Sequence, residues 1–276
     1  MSKKPTEEAY AELQTAYDYY NQFLFDNKLP QCLITFQRKT KTMGYFSSKR
    51  FVSPKTGEMI DEIAINPEYL PSYPLIEVMQ TLVHEMCHMW QFHFGTPSRR
   101  TYHNAEWAEK METIGLMPSS TGTVGGAKVG QKIADYPIPN GRFQRYTLEL
   151  FKSGFVISWF DRFPAAVAPA HDLSAVIEQW RETLAQASQG ANETDIEVTE
   201  SLLSMALVAP VSAQEAENLT IAAPAKVKTR HKWACPECGD SFMGKPSLNM
   251  ICGNCNVKVV DLDAEEMPAE KDQASS

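Results

Sequence analysis

Residues 81–90 read Thr-Leu-Val-His-Glu-Met-Cys-His-Met-Trp, two histidines four positions apart with a glutamate beside the first. On a helix, His84 and His88 lie one turn apart on one face, so both rings can bind one zinc ion. Glu85 then stands next to the metal rather than on it, placed to take a proton from a metal-bound water. A catalytic zinc takes three protein ligands and keeps a further position open, so a third donor is needed. His103 is the candidate and Glu106, one helical step away, is the next. The plain alternative for His103 is a core histidine with a satisfied hydrogen bond. His93 falls in the apolar stripe of a continuing helix, and His171 follows a Pro-rich loop with no ligand-like companion, so neither is chosen.

A second constellation lies near the other end of the chain. Cys235-Pro236-Glu237-Cys238 and Cys252-Gly253-Asn254-Cys255 are two Cys-x-x-Cys pairs separated by thirteen residues. Two such knuckles close a tetrahedral four-cysteine site with no open position, the mark of a structural zinc in a small ribbon. A ribbon of this size has little core of its own, so the metal should supply most of its folding energy. The expected cofactor load is therefore two Zn2+ per chain, one catalytic and one structural. Lys226, Lys228, Arg230 and Lys232 lead into the ribbon, with Trp233 adjacent and Phe242 inside it. Basic residues beside exposed aromatics suit single-stranded or distorted DNA through phosphate contact and base stacking. A ribbon can equally dock protein.

The elements that must position these residues follow from periodicity. Leu75, Val78, Met79, Leu82, Val83, Met86 and Trp90 obey the i, i+3, i+4, i+7 rule, which predicts a helix over about 74–92. Pro74 suits its start, with Ser72 or Tyr73 as cap, and His84 and His88 fall roughly opposite the stripe, as on the floor of a cleft. An earlier helix, capped by Thr6 and favoured by Glu7 and Glu8, carries Tyr10, Leu13, Tyr17, Tyr20 and Leu24 on one face. Strand-like runs at Cys32–Phe36, Met43–Val52 and Met59–Asn66, with a Ser53-Pro54-Lys55-Thr56-Gly57 turn, predict a small antiparallel meander. His103 to Ile114 reads as a further helix ending at Gly115. Phe143–Phe151 and Phe155–Phe163, joined at Lys152-Ser153-Gly154, read as an aromatic-rich hairpin that either extends the core, as aromatic stripes usually do, or covers the cleft. Leu173 to Leu184 reads as an amphipathic helix, and 186–227 as an acidic flexible linker with a short helix near Leu202–Leu207.

The chain has 276 residues, 43% of them hydrophobic, enough for one medium domain and a small module. No apolar run reaches the length of a membrane span, and the start MSKKPTEEAY has no apolar segment of a secretory signal. Four of six cysteines fall in the knuckles, leaving Cys32 and Cys87, the latter read as a small buried residue. That usage fits metal binding in a reducing compartment, hence a cytoplasmic protein. Of the net charge of −8, residues 189–219 hold −6 and the tail from Asp261 holds −5, so the remainder sums to +3. Arg38, Lys39, Lys41, Lys49, Arg50 and Lys55 lie in the sheet and its turns, either ordinary solvated residues or an edge that meets nucleic-acid backbone.

Together these features resemble the SprT-like metalloproteases, the family that includes the Spartan DNA–protein-crosslink proteases. The resemblance covers about residues 6–118 and the ribbon. It rests on Tyr20-Asn21-Gln22-Phe23-Leu24-Phe25 leading to Leu29-Pro30, on Gly44-Tyr45-Phe46, on Ile63-Ala64-Ile65-Asn66-Pro67, on His84-Glu85-Met86-Cys87-His88 and on His103-x-x-x-Trp107. Asn104 stands where glycine commonly follows that histidine, and the resemblance gives no role to the segment between Gly122 and Lys226. It implies an α+β fold with a zincin-like core of helix, small antiparallel sheet, His-Glu-x-x-His helix and third-ligand helix, plus the four-cysteine zinc ribbon. Resemblance and residue pattern together give an expected layout of a core over 1–120, its extension over 121–185, a linker over 186–227, the ribbon over 228–262 and an acidic tail over 263–276.

The resemblance also implies that His103 completes the zinc site of His84 and His88, with Glu85 as the base. The implied function is a zinc endopeptidase on DNA-associated proteins, recruited by the ribbon; with no deep specificity pocket visible in the sequence, broad peptide specificity is expected. The partners are protein substrates and DNA, with no membrane, and a monomer is favoured. Such a protein would be nucleoid-associated in a bacterium or nuclear in a eukaryote. Two other readings stay open: a non-proteolytic DNA- or polymerase-associated binding protein, and a peptidase whose ribbon docks protein.

Overall fold

The computed structural model describes residues 4–99, 102–163 and 229–263. The predicted helix through Leu173–Leu184, the 186–227 linker, His171, Lys226, Lys228 and the tail beyond 263 lie outside the described residues. The chain divides into two compact units, Met1–Ala223 and Pro224–Ser276. The architecture is mixed α+β with small sheets.

In the first unit, helix α1 spans Pro5–Leu24. Leu13, Ala16, Tyr17, Tyr20 and Leu24 recur at helical spacing and are fully buried. Thr6 lies inside this helix and does not cap it; Pro5 occupies the first turn, where its missing N–H is no loss. The chain leaves α1 through Asp26 and Asn27, both in the left-handed region. Buried Asn21 closes that exit, donating to the Leu29 carbonyl and accepting from the Leu29 N–H, each at 3.0 Å.

Strands β1 (Leu33–Phe36), β2 (Gly44–Val52) and β3 (Met59–Ile65) form one sheet in the order β1-β3-β2. This corrects the expected meander: β1 runs parallel to β3, and only β2 is antiparallel to it. The physical reason lies in β3, which is buried along Asp61–Ile65 and so takes the central place. The 37–43 segment must then cross the end of β3. Asn66 holds it there, its side-chain amide donating to the carbonyls of Lys39 and Thr42 at 3.0 Å.

Helix α2 spans Leu75–Phe94 and packs on β2 and β3. Pro74 is its N-cap position, and neither Ser72 nor Tyr73 caps it. Helix α3 (Ala105–Ile114) begins after Asn104, whose side chain accepts from the Trp107 N–H and caps the helix. Strands β4 (Leu116–Ser119) and β5 (Ala134–Pro137) pair antiparallel. Residues Arg142–Lys152 then form helix α4. The expected hairpin is thus wrong in its first arm: Phe143, Thr147, Leu150 and Phe151 are buried at i, i+4, i+7 and i+8, a helical period that outweighs their β-favouring types. Phe143, Leu150 and Phe151 join the same core as α1, α2 and α3. The second arm, 155–163, runs without regular structure, tied by Trp159 to Glu8 and by Asp161 to Arg38.

In the second unit, β6 (His231–Ala234), β7 (Ser241–Gly244) and β8 (Val260–Asp261) make a sheet in the order β7-β6-β8. Its core is Trp233, Cys235 and Val259, with Phe242, Leu248 and Val257 packed against them.

Candidate active site and metal centres

The apolar stripe of α2 seats the motif: Val78, Met79, Leu82, Val83 and Met86 are buried, and Leu75 and Trp90 pack at its ends. The opposite face is not the open floor expected. Glu85 and Cys87 are buried as well, and His84 and His88 are only partly exposed. What covers them is Trp107 of α3. Its ring centroid lies 4.9 Å from His84, 5.1 Å from His88 and 4.4 Å from His103, so one indole walls all three imidazoles. That contact is the physical content of the His103-x-x-x-Trp107 spacing.

His103 does not sit on α3 as expected. It precedes the N-cap and is held in an isolated antiparallel bridge to Gly130. Its Nε2 lies 3.1 Å from His88 Nε2, and His84, His88 and His103 each offer a ligand atom within 4.8 Å of the others. Tetrahedral zinc with Zn–N bonds of about 2.0–2.1 Å needs nitrogens roughly 3.3 Å apart, so the set fits such an ion. Glu106, the other candidate, is engaged elsewhere: it accepts from Gln91 and from the Thr96 N–H. His93 projects toward solvent instead of into the stripe and pairs with Asp61 at 2.6 Å.

Two of the three rings, His84 and His103, are oriented by a partner on their Nδ1. His84 Nδ1 lies 2.7 Å from Asp135 Oδ2. A carboxylate only accepts, so Nδ1 carries the proton and Nε2 keeps its lone pair. His103 Nδ1 lies 3.2 Å from the Gly130 carbonyl, with the same consequence. Burial and the neighbouring His84 push His103 down to about 4, and burial with both neighbours holds His88 well below the usual imidazole range, so both rings are neutral. Burial pulls His84 down too, but the hydrogen bond and charge of Asp135 outweigh it and hold that ring above its ordinary value. Asp135 and Gly130 could not be found by motif reading: they follow His84 by 51 and 46 positions and carry no fixed spacing.

Glu85 is placed by β2. Gly44 comes so close to α2 that a Cβ there would sit 2.8 Å from Thr81 Cγ2 and 3.0 Å from the Ala64 carbonyl. This approach brings the Phe46 N–H to the Glu85 carboxylate. Burial raises the Glu85 pKa, and His84 and the Phe46 N–H oppose that rise.

In the ribbon, Cys235, Cys238, Cys252 and Cys255 converge within 4.8 Å, and Cys238 Sγ lies 3.7 Å from Cys252 Sγ. Zn–S bonds of about 2.3 Å in a tetrahedron require roughly 3.8 Å, so the four thiols can hold such a metal ion. The two knuckles match. Gly239 donates to the Cys235 carbonyl at 3.0 Å and Asn256 to the Cys252 carbonyl at 2.8 Å, both in the left-handed conformation. The amides of Cys238 and Glu237 pull the Cys235 thiol down to about 7, while Cys238, against the pull of the Asp240 amide, is pushed up to about 12 by its hydrogen bond to Cys235, so the cluster without metal favours one thiolate and not four.

Of the residues expected to meet DNA, Arg230 and Lys232 are exposed. Trp233 is a correction: it is 6% exposed, at the centre of the ribbon core, with its indole N–H donating to the Lys245 carbonyl. It offers no face for base stacking. The ribbon instead exposes Met243, Ile251 and Leu262. Among the basic residues of the sheet, Arg38 pairs with Asp161 and Lys39 lies over the Tyr45 ring, while Lys49, Arg50 and Lys55 face solvent. Among the described residues, no helix is long and apolar enough to cross a membrane.

The SprT-like family model matches residues 13–125, from within α1 to just past β4. A curated relative, an uncharacterized protein in the mucB 3' region of Salmonella typhimurium, is 58% identical over 59 residues, which is 21% of this chain and 80% of that protein. No solved structure matches the chain.

Proposed function

The chain belongs to the SprT-like family, and from that premise we propose that it is a zinc-dependent endopeptidase with a zincin-like core, acting on DNA-associated proteins such as DNA–protein crosslinks. The observation that carries this reading is the convergence of three imidazole nitrogens beside one buried carboxylate. His84, His88 and His103 would hold the catalytic zinc, and Cys235, Cys238, Cys252 and Cys255 a structural one. When bound at the histidines, zinc supplies Lewis acidity, lowering the pKa of water and polarising a carbonyl.

The chain's own groups do the rest. Glu85 accepts the proton of the attacking water and hands it to the departing amine. Its burial keeps the carboxyl above the ordinary range, nearer the value at which it can both take and release a proton. Strand β2 is an edge of its sheet and presents Phe46 to Glu85, so an extended peptide can pair along that edge and bring its scissile bond to the carboxylate. An edge that binds main chain fits broad specificity.

Glu85→Gln keeps the shape and removes the base. The expected result is undiminished zinc content and no cleavage of a DNA-bound protein; full cleavage by this variant overturns the mechanism. DNA recruitment would rest on Lys226, Lys228, Arg230 and Lys232 through phosphate contact, without Trp233. Exposed Met243, Ile251 and Leu262 favour a second reading, in which the ribbon docks protein. Steep loss of DNA affinity with salt supports the first, and salt-independent or absent DNA binding the second.

A further inference from the structure

The family match ends at residue 125, yet two of the three candidate ligands are held by residues C-terminal to that boundary. His84 Nδ1 bonds Asp135 Oδ2, and His103 Nδ1 bonds the Gly130 carbonyl. Both contacts fix a ring tautomer and a ring direction, and the partners lie five residues apart on one segment. We infer that residues 130–135 form a strap that positions the metal ligands, Asp135 through His84 and Gly130 through His103. The inference rests on the metal reading of the histidines.

The strap is anchored on every side. The Gly130 N–H donates to the His103 carbonyl at 3.0 Å, and the Gly130 carbonyl accepts from the His103 N–H at 2.8 Å. Ile133 is buried in the main core. Asp135 pairs with Pro118 in the β4–β5 sheet, and Gln80, one turn before His84 on α2, donates to its carbonyl at 2.8 Å. Helix α2 therefore grips the strap at positions i and i+4, once at the backbone and once at the carboxylate.

A stability role alone accounts poorly for Asp135. It is buried, and its Oδ1 has no hydrogen-bond partner among the described residues. A half-satisfied buried carboxylate is unfavourable unless positive charge compensates it, and a divalent ion held by His84 would supply that charge. Gly130 is constrained as well: its φ is +149°, and a Cβ would lie 3.3 Å from Ile133 Cδ1.

Cobalt(II) substitution of the full chain tests this, because nitrogen and thiolate sites absorb in different bands and each can be titrated against a chelator. Asp135→Asn, which keeps an acceptor without the charge, should weaken metal at the histidine site about 10-fold, and Asp135→Ala up to about 100-fold, with a shifted histidine-site band. Gly130→Ala should weaken the same site. The thiolate site should be unchanged throughout. Asp161→Asn, which removes another buried carboxylate from the same extension, should leave both sites at wild-type affinity. Asp135→Asn is close to isosteric, so the test stands even where Asp135→Ala does not fold. Wild-type affinity and spectrum in Asp135→Asn overturn the strap alone; a wild-type chain that takes no cobalt at the histidines overturns the metal reading and the strap with it.

Discussion

His88 and Trp107 stack with their ring planes 20° apart and centroids 5.1 Å apart. The indole is fully buried, and its Nε1 has no hydrogen-bond partner among the described residues. It therefore acts as a wall, not as a donor. Trp107→Ala should remove about 3–5 kcal/mol of stability and loosen all three histidines. Trp107→Phe, which sacrifices no hydrogen bond, should lose much less and keep metal. Urea denaturation with metal content in parallel checks both.

Asn21 and Leu29 exchange two hydrogen bonds that lock the exit of α1. Asn21→Ala leaves a buried N–H and a buried carbonyl unpaired, at about 1–3 kcal/mol each. Asn21→Asp can still accept from the Leu29 N–H, but it sets an uncompensated buried carboxylate against the Leu29 carbonyl, so it should lose at least as much as Ala. Denaturant midpoints at constant slope should place wild type above both variants.

Gly44 decides how near β2 comes to Glu85. Gly44→Ala forces a Cβ against Thr81 and the Ala64 carbonyl. The expected loss of stability is about 1–3 kcal/mol. Peptidase activity should fall further than the unfolded fraction explains, because the Phe46 N–H leaves the carboxylate. A variant with the stability loss but wild-type kcat/KM would sever β2 from the chemistry.

The ribbon core is Trp233, Cys235 and Val259, too small to stand without a cross-link. Chelation of its metal should bring the amides of residues 231–261 to fast hydrogen exchange while α2 stays protected. Within the second knuckle, Asn256 is at φ 58°. Asn256→Gly should be tolerated, whereas a β-branched residue should lose about 1–2 kcal/mol.

Much of this was legible in the sequence where the physics is local. The stripe of α2 and the His84–His88 spacing are properties of a single helix, and the knuckles are two short loops of matching pattern. What escaped depends on distant chain. The order β1-β3-β2 follows from the burial of β3 at the centre, and the 37–43 crossing it demands is held by Asn66 through contacts that no strand pattern records. Helix α4 hid behind aromatic residues that favour strands, although the 143/147/150/151 spacing was there to be counted. Trp233 beside four basic residues suggested a stacking surface, but a ribbon this small buries the largest apolar side chain it has. Asp135 and Gly130 carry no signal at all, since only folding brings them to His84 and His103.

The most direct test is the ratio of zinc to protein in the purified full-length chain. Two per chain are expected, falling to one in a His84→Ala, His88→Ala double variant and to one in a Cys235→Ser, Cys238→Ser double variant. One zinc in the wild type that survives loss of the histidines, or none, would contradict a catalytic metal at His84, His88 and His103.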